Sequence, residues 1–116
     1  MKNLKKLETG EYIDTVSGKE LLKTMDYDKN GVMYNERYYC GYNLHRQDGP
    51  ASIWYYYNGI IEQEEYYING KLHREDGLAY ISYHVDGTVY KKEYWVNGKQ
   101  IIDEFQILVI ESLGMK

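Results

Sequence analysis

Residues 44–51 read Leu-His-Arg-Gln-Asp-Gly-Pro-Ala, and residues 72–79 read Leu-His-Arg-Glu-Asp-Gly-Leu-Ala. The two segments lie 28 residues apart, and the same offset relates many other positions. It connects Asn30-Gly31 with Asn58-Gly59 and Asp86-Gly87, and Tyr38-Tyr39 with Tyr66-Tyr67 and Tyr94-Trp95. Self-similarity at a fixed period of this length is the signature of a repeat architecture. The chain is therefore predicted to repeat one small structural unit.

Each unit reads as two strands and two turns. The first strand, at residues 51–57 and 79–85, is rich in aromatic and β-branched residues and ends at Asn-Gly or Asp-Gly. We expect a type I′ turn there, with positive φ at both central residues. The second strand, at residues 32–40, 60–68 and 88–96, closes at Asn69-Gly70 and Asn97-Gly98. These patterns predict a mainly all-β fold, a repeat array of antiparallel β-hairpins forming a curved and twisted sheet.

The chain divides into three segments by its fit to the repeat. Residues 1–22 fit poorly and are interpreted as an N-terminal cap, and residues 23–102 hold three 28-residue hairpin units. The last unit is degenerate, because Ile101, Ile102, Asp103 and Glu104 replace the expected motif, and atypical terminal units are how repeat arrays are capped.

Residues 103–116 are predicted to form a short capping α-helix. Asp103 and Gln106 resemble a capping box, and Gly114 suits a left-handed C′ position. Its apolar stripe holds Phe105, Leu108, Val109 and Ser112, and is widened by Ile107, Ile110 and Leu113. A helix this apolar needs more than one packing partner. It either covers the end of the sheet or also forms a homodimer contact.

Alternation with period two separates the faces of the sheet. Ala51, Ile53, Tyr55 and Tyr57 align with Ala79, Ile81, Tyr83 and Val85, and we assign all eight to the buried face. The other face is predicted to bind a partner through large rings, with acidic residues nearby: Trp54, Tyr56, Tyr80, His84, Glu62 and Glu64. The alternative is that these rings only cover one another beneath the helix.

The repeated His-Arg-x-Asp-Gly segment is the one stretch with catalytic residue types. His and Asp three residues apart would suit a general base and its orienting group, or two metal ligands. An active site needs one copy of its constellation, whereas a recurring turn needs the same residues in every unit. We therefore interpret the motif as structural, with His45 and His73 making hydrogen bonds between repeats. A small-anion or nucleotide site formed by His45, Arg46, His73 and Arg74 is the alternative.

Composition limits the remaining function classes. The 14 basic and 18 acidic residues give a net charge of −4, which disfavours duplex nucleic acid as a partner. Cys40 is the single cysteine and aligns with Ile68 and Val96, so we expect an inert buried thiol in a reducing compartment. No stretch approaches the roughly 18 apolar residues of a membrane span. We expect a cytoplasmic chain without cofactor, metal or membrane contact.

The segments Glu65-Tyr66-Tyr67-Ile68-Asn69-Gly70-Lys71 and Glu93-Tyr94-Trp95-Val96-Asn97-Gly98-Lys99 resemble MORN-type (membrane occupation and recognition nexus) repeat proteins. The His-Arg-x-Asp-Gly-Pro-Ala segment looks like a longer variant, associated with phage, giant-virus and antitoxin-like proteins. The resemblance covers residues 23–100 and implies an elongated sheet of hairpins with a binding role. This chain departs from the family in its 28-residue period and in lacking a basic cluster for anionic lipid.

We therefore expect a non-enzymatic protein-binding module. By analogy with the antitoxin-like and phage members, we expect it to inhibit a partner by occlusion, the partner being a toxin or a defence effector such as a CRISPR nuclease.

Overall fold

The structure, a computed structural model, describes residues 4–6, 12–14 and 20–115. Its elements are β1 (Leu4–Lys6), β2 (Tyr12–Asp14), β3 (Glu20–Tyr27), β4 (Met33–Cys40), β5 (Asn43–Leu44), β6 (Ser52–Tyr55), β7 (Ile61–Glu65), β8 (Tyr67–Ile68), β9 (Lys71–Leu72), β10 (Tyr80–Tyr83), β11 (Val89–Val96), β12 (Lys99–Ile101) and α1 (Glu104–Gly114). The predicted mainly β fold with one short C-terminal helix is confirmed.

The strands form one antiparallel sheet in the order β1-β2-β3-β4-β6-β7-β10-β11-β12, and β5 pairs with β4. Strands β8 and β9 form a separate two-stranded ribbon. Each long hairpin, β3–β4, β6–β7 and β10–β11, adds to the sheet beside the previous one. Because β3 begins at Glu20 and pairs with β2, the sheet extends before residue 23, where the sequence had placed the start of the array.

Type I′ turns were expected at the ends of the long hairpins, but the structure has a different turn there. The N–H of Gly59 donates to the carbonyl of Tyr56 at 2.9 Å, and the N–H of Tyr56 donates to the carbonyl of Ile60 at 2.8 Å. Gly59 has φ 86°, whereas Asn58 is not among the residues with positive φ. The loop is therefore a type I turn followed by a left-handed glycine, the usual three-residue hairpin connection. The turns ending at Gly31 and Gly87 have the same two hydrogen bonds.

Type I′ turns do close the two short hairpins that contain Asn-Gly. Asn69 and Gly70 have φ 50° and 81°, and Asn97 and Gly98 have φ 51° and 77°. Identical dipeptides thus form two kinds of turn in one repeat. The difference follows from the number of residues between the paired strands, because a two-residue Asn-Gly loop forms a type I′ turn, which requires positive φ at both positions.

Each long hairpin also contains a β-bulge at the same place. Trp54 faces Gln63 and Tyr55 faces Ile61, so Glu62 is an extra residue without an opposite partner. The register shifts in the same way around Tyr34 in the first hairpin and Tyr90 in the third. A bulge of this kind interrupts the alternation of side chains between faces.

The core is thin, as a single sheet allows. The buried apolar side chains among the described residues are Leu21, Tyr38, Ala51, Ile53, Ala79 and Ile110. The predicted buried face is confirmed for Ala51, Ile53 and Ala79, and Tyr55, Ile81 and Tyr83 are half-buried. It is wrong for Tyr57 and Val85, which are 83% and 47% exposed, because both lie in turns beyond the strand ends. Cys40 is half-buried rather than buried.

Helix α1 packs with the side opposite to the predicted stripe. Asp103 accepts a hydrogen bond from the N–H of Gln106 at 3.0 Å, which confirms the N-cap. Ile110 is buried and Ile107 is half-buried, while Phe105, Leu108 and Val109 are exposed. The outward stripe of Phe105, Leu108, Val109 and Ser112 thus keeps an apolar surface in contact with solvent.

Gly114 was expected to be a left-handed C′ residue, but it is the last residue of the helix. Gly114 belongs to α1, and the C-cap Met115 has φ −87°. A methyl group on Gly114 would overlap the carbonyl oxygen of Asp76. Glycine is therefore required here by the close approach of α1 to the loop of the second unit, rather than by its own backbone conformation. No helix among the described residues is long and apolar enough to cross a bilayer.

We predict that Gly114→Ala lowers the stability of the fold. Helix propensity alone would make alanine better than glycine by about 1 kcal/mol. The overlap with Asp76 outweighs that gain, and overpacking of this kind costs about 1–3 kcal/mol. Denaturant unfolding measures the change, with Ser112→Ala on the outward stripe as control. An increase in stability for Gly114→Ala would show that α1 does not dock on this loop.

Candidate binding surfaces

The His-Arg-x-Asp-Gly loops connect each unit to the next. His45 is fully buried, and its Nδ1 accepts a hydrogen bond from the N–H of Asn69 at 3.0 Å. His73 Nδ1 accepts from the N–H of Asn97 at 2.9 Å. Since each asparagine lies in the turn of the following unit, both histidines make hydrogen bonds between repeats, as expected.

Backbone hydrogen bonds strengthen the same contact. The N–H of Gly70 donates to the carbonyl of Leu44 at 2.8 Å, and the N–H of Arg46 donates to the carbonyl of Tyr67 at 3.1 Å. The next pair of units repeats both bonds, from Gly98 to Leu72 at 2.8 Å and from Arg74 to Trp95 at 2.9 Å. Each loop is therefore held on the ribbon or hairpin that follows it.

The arginine of each loop covers a tyrosine ring. The guanidinium of Arg46 lies 4.3 Å from the ring centre of Tyr38, and that of Arg74 lies 4.2 Å from Tyr66. A partly desolvated contact of this kind contributes about 0.5–2 kcal/mol. We call the side of the sheet that carries these tyrosines the arginine face.

The rest of the motif holds this arginine in place. Arg46 Nε donates to Asp48 Oδ1 at 3.1 Å, and Nη1 donates to the carbonyl of Pro50 at 3.2 Å. Arg74 makes the equivalent bonds to Asp76 and Leu78, both at 3.1 Å. A Cβ on Gly49 would lie 2.8 Å from Arg46 Cζ, so a side chain at this position would displace the guanidinium. Every residue type of the motif thus has a packing or hydrogen-bonding role in both copies.

A groove lies between the two loops. Its volume is about 710 Å³, and it is lined by Arg46, Gln47, Asp48, Tyr66, His73, Arg74 and, from the helix, Leu113. The structure therefore brings together three of the four predicted ligand-binding residues and leaves His45 buried behind them. Because Asp48 and Asp76 neutralise the arginines, the groove is not strongly positive. Among the described residues no cluster of His, Cys, Asp or Glu could hold a metal.

Carboxylates on the arginine face are paired with tyrosine hydroxyls. Tyr55 donates to Glu36 Oε1 at 3.0 Å, and Tyr83 donates to Glu64 Oε1 at 2.7 Å. Burial alone would raise the pKa of Glu36, but the hydrogen bond and charge of Lys23, 2.9 Å away, lower it overall. Burial and the adjacent carboxylates raise the pKa of Tyr55 and of Tyr83 to about 12.

The opposite side, which we call the tryptophan face, carries a side-chain network across β7, β8, β10 and β11. Tyr80 donates to Gln63 Oε1 at 2.9 Å, Gln63 donates to Glu65 Oε1 at 2.9 Å, and Tyr67 donates to Glu65 Oε2 at 3.0 Å. On β11 the indole N–H of Trp95 donates to Glu93 Oε1 at 3.0 Å, and Lys91 pairs with Glu93 Oε2 at 3.2 Å. Lys91 connects the two parts, because its Nζ lies 5.9 Å from the ring centre of Tyr80.

The predicted partner-binding residues do not all share this face. Trp54 and Tyr80 do, and Trp54 also packs on Tyr34 with ring centres 6.2 Å apart. Glu64 lies on the arginine face with Tyr83, because it directly faces Ile53 in the register. Glu62 is the bulge residue.

The two remaining predicted residues lie at a hairpin turn. Tyr56 begins the turn of the second hairpin and donates its hydroxyl to the carbonyl of Tyr83 at 2.7 Å. His84 begins the turn of the third hairpin, is exposed, and contacts the ring of Tyr90 edge-on at 5.0 Å.

Sequence reasoning missed most of the network. Gln63, Glu65, Tyr67 and Glu93 were not predicted, because their assignment needs the cross-strand register as well as the alternation within one strand. The available signal was the offset of 28 residues, which aligns Glu65 with Glu93 and Tyr67 with Trp95. A carboxylate that recurs two residues before an aromatic residue in two units indicates a repeated hydrogen bond.

A scan of protein-family models, a search of curated proteins and a search of solved structures each return no match for this chain.

We predict that the fold loses stability between about pH 10 and pH 12. The pKa of Tyr55, Tyr67 and Tyr83 is raised to about 12 in the folded chain, from an ordinary value of 10. A raised pKa of a neutral acid contributes stability below its unfolded value, and this contribution is lost as the pH rises towards the folded value.

Denaturant unfolding at successive pH values measures the loss. Tyr83→Phe should reduce the slope of the unfolding free energy against pH, and Tyr42→Phe, at a fully exposed side chain, should not. Equal slopes in the three proteins would contradict the role of the Tyr83–Glu64 bond.

Proposed function

We propose that this chain is a non-enzymatic protein-binding module and that the tryptophan face is its contact surface. The observation that carries the proposal is the network on that face. Hydrogen bonds fix the rings of Tyr67, Tyr80 and Trp95 before any partner arrives. Large rings that are already ordered lose little entropy on binding, which is why aromatic residues dominate binding hot spots.

The use of the repeated motif supports a non-enzymatic role. Both copies of the histidine, arginine and aspartate make the same bonds to the next unit or within the loop. Residues engaged in this way in every unit are accounted for by assembly of the sheet. The proposal therefore assigns them no part in catalysis and includes no cofactor.

The kind of partner follows from charge and from the resemblance to MORN-type proteins. The network contains Glu65 and Glu93, and the chain as a whole carries a charge of −4. A partner with basic and apolar groups would complement this face, whereas duplex nucleic acid would not. Because the motif resembles segments of antitoxin-like and phage proteins, we propose an inhibitor acting in the cytoplasm by occluding a toxin or a defence effector, such as a CRISPR nuclease. A homodimer contact in this proposal would use the outward stripe of α1.

Small-anion or nucleotide binding is the second proposal, favoured by the groove that joins Arg46, His73 and Arg74. Its weakness is that the arginine side chains already bind carboxylates and carbonyls.

We predict that the double substitution Trp54→Ala and Tyr80→Ala abolishes partner binding while the sheet stays folded. Truncation of a hot-spot ring costs about 2 kcal/mol or more, so each change should weaken binding by roughly 30-fold. The measurement is capture from the lysate of the native host, read by mass spectrometry, with folding checked by thermal unfolding. Tyr42→Ala with Tyr57→Ala is the matched control, because these rings are 102% and 83% exposed outside the network.

A partner captured by the wild-type and control proteins but not by the double variant would support the tryptophan face. Retention of that partner by the folded double variant would exclude it. Thermal-shift titration of the wild-type chain with phosphate and ATP tests the second proposal, since a ligand that binds the folded state raises the midpoint. Stabilisation that disappears in Arg74→Ala would favour the groove.

A further inference from the structure

The outer edge of β11 is left open by the chain itself. β11 pairs with β10 on one side, and on the other with β12 over Tyr94–Val96 only. The equivalent edges of β4 and β7 are filled by β6 and β10. By the 28-residue offset, the next such strand would fall near residues 107–111, which belong to α1. Since α1 turns back towards Asp76, residues 89–93 have no strand on the side away from β10 among the described residues.

The backbone of Lys92 is positioned to pair with an added strand. In the first two units, the N–H of Tyr38 donates to the carbonyl of Ala51, and that of Tyr66 donates to the carbonyl of Ala79, both at 2.8 Å. Alternate residues of an antiparallel strand bond to the same neighbour. Glu36 and Glu64, two residues earlier, therefore face the added strand, and Lys92 is their equivalent in the third unit. Its N–H and C=O point away from β10.

The charge of the side chain at this position changes from negative to positive in the third unit. Glu36 accepts a hydroxyl from Tyr55, and Glu64 accepts one from Tyr83, so each tyrosine comes from the strand that fills the edge. Lys92 replaces these glutamates, is exposed, and forms no ion pair with a described residue. By the geometry of the first two units, a strand added beside β11 would bring a side chain to Lys92 from the position of Tyr55 or Tyr83.

We propose that the edge of β11 over residues 89–93 is a docking site for an extended, acidic strand of the partner protein. The added strand runs antiparallel to β11. Its Asp or Glu lies two residues after the strand residue that is paired with Lys92, which is the position that Tyr55 and Tyr83 occupy in the first two units. Main-chain hydrogen bonds supply affinity in strand addition, and alternate side chains supply specificity. The proposal rests on the proposed function and deepens it, since β11 also carries Lys91, Glu93 and Trp95 of the tryptophan face.

A second copy of the chain fits this edge less well. Two-fold antiparallel pairing of β11 with itself, centred on Lys92, would place the two lysines opposite each other. Like charges directly opposite are destabilising, and lysine on an edge strand is a common means of preventing self-association. The same charge favours an acidic strand.

The test uses two peptides copied from the chain's own residues 78–84, one with Tyr83→Glu and one with Tyr83→Lys. Each is titrated into the full chain, and backbone amide signals are followed by NMR. The Tyr83→Glu peptide should shift the amides of residues 89–93 and slow the exchange of the Lys92 amide, and it should bind at least about tenfold more tightly than the Tyr83→Lys peptide, the effect of about 1.4 kcal/mol.

Variants of the protein separate charge from backbone pairing. Lys92→Glu should reverse the preference between the peptides, whereas Lys29→Glu, the same change in an exposed turn, should preserve it. Lys92→Pro removes the outward N–H that would bond to the added strand, so it should weaken the binding of both peptides. The sheet should stay folded, because proline is compatible with the outer side of an edge strand.

Absence of shifts at residues 89–93, equal binding of both peptides, or self-association of the chain through β11 would each overturn the proposal. These readouts concern the edge alone. The Trp54 and Tyr80 variants test the face, so the two proposals can fail separately.

Discussion

The guanidinium of Arg46 over the ring of Tyr38, repeated by Arg74 over Tyr66, covers a sheet that has no second layer. Each arginine can hold this position only if Asp48 or Asp76 fixes its Nε and the glycine that follows leaves room for it. The histidine before it then ties the loop to the next turn. The motif is therefore one packing unit, and its recurrence explains why the hairpins stack in a fixed register.

The third unit shows what happens when this arginine is absent. Ile102 occupies its position in the sequence, and Tyr94 contacts α1 instead, with its hydroxyl donating to Glu111 at 3.1 Å. The helix thus takes the place of the third loop, and Gly114 allows it to approach the second. Because α1 turns back over the array, it ends the repeat without covering the edge of β11. The position of α1 therefore explains both why the arginine face of the third unit is capped and why the edge of β11 is exposed.

The offset of 28 residues was sufficient to predict the hairpins and the hydrogen bonds of His45 and His73 between units, and the capping pattern of Asp103 and Gln106 predicted the C-terminal helix. It was not sufficient where geometry depends on how many residues separate paired strands. Asn58-Gly59 and Asn69-Gly70 form different turns for that reason. The predicted partner-binding residues do not share one face, because Glu64 pairs with Ile53 and lies on the opposite face from Trp54, and because the bulge at Glu62 interrupts the alternation. The packing side of α1 could not be read from a helix that is apolar on most of its circumference.

Hydrogen exchange of the backbone amides tests most directly whether the loops assemble the sheet. The amides of Arg46, Gly70, Arg74 and Gly98 donate across the contacts between units. If these contacts form one cooperative structure with the sheet, their protection should lie within about tenfold of that of Ile53 and Ile81, each of which is paired with a strand on both sides. Exchange at the rate of exposed turn residues would contradict the account, because the motif would then be a surface loop rather than the connection between units.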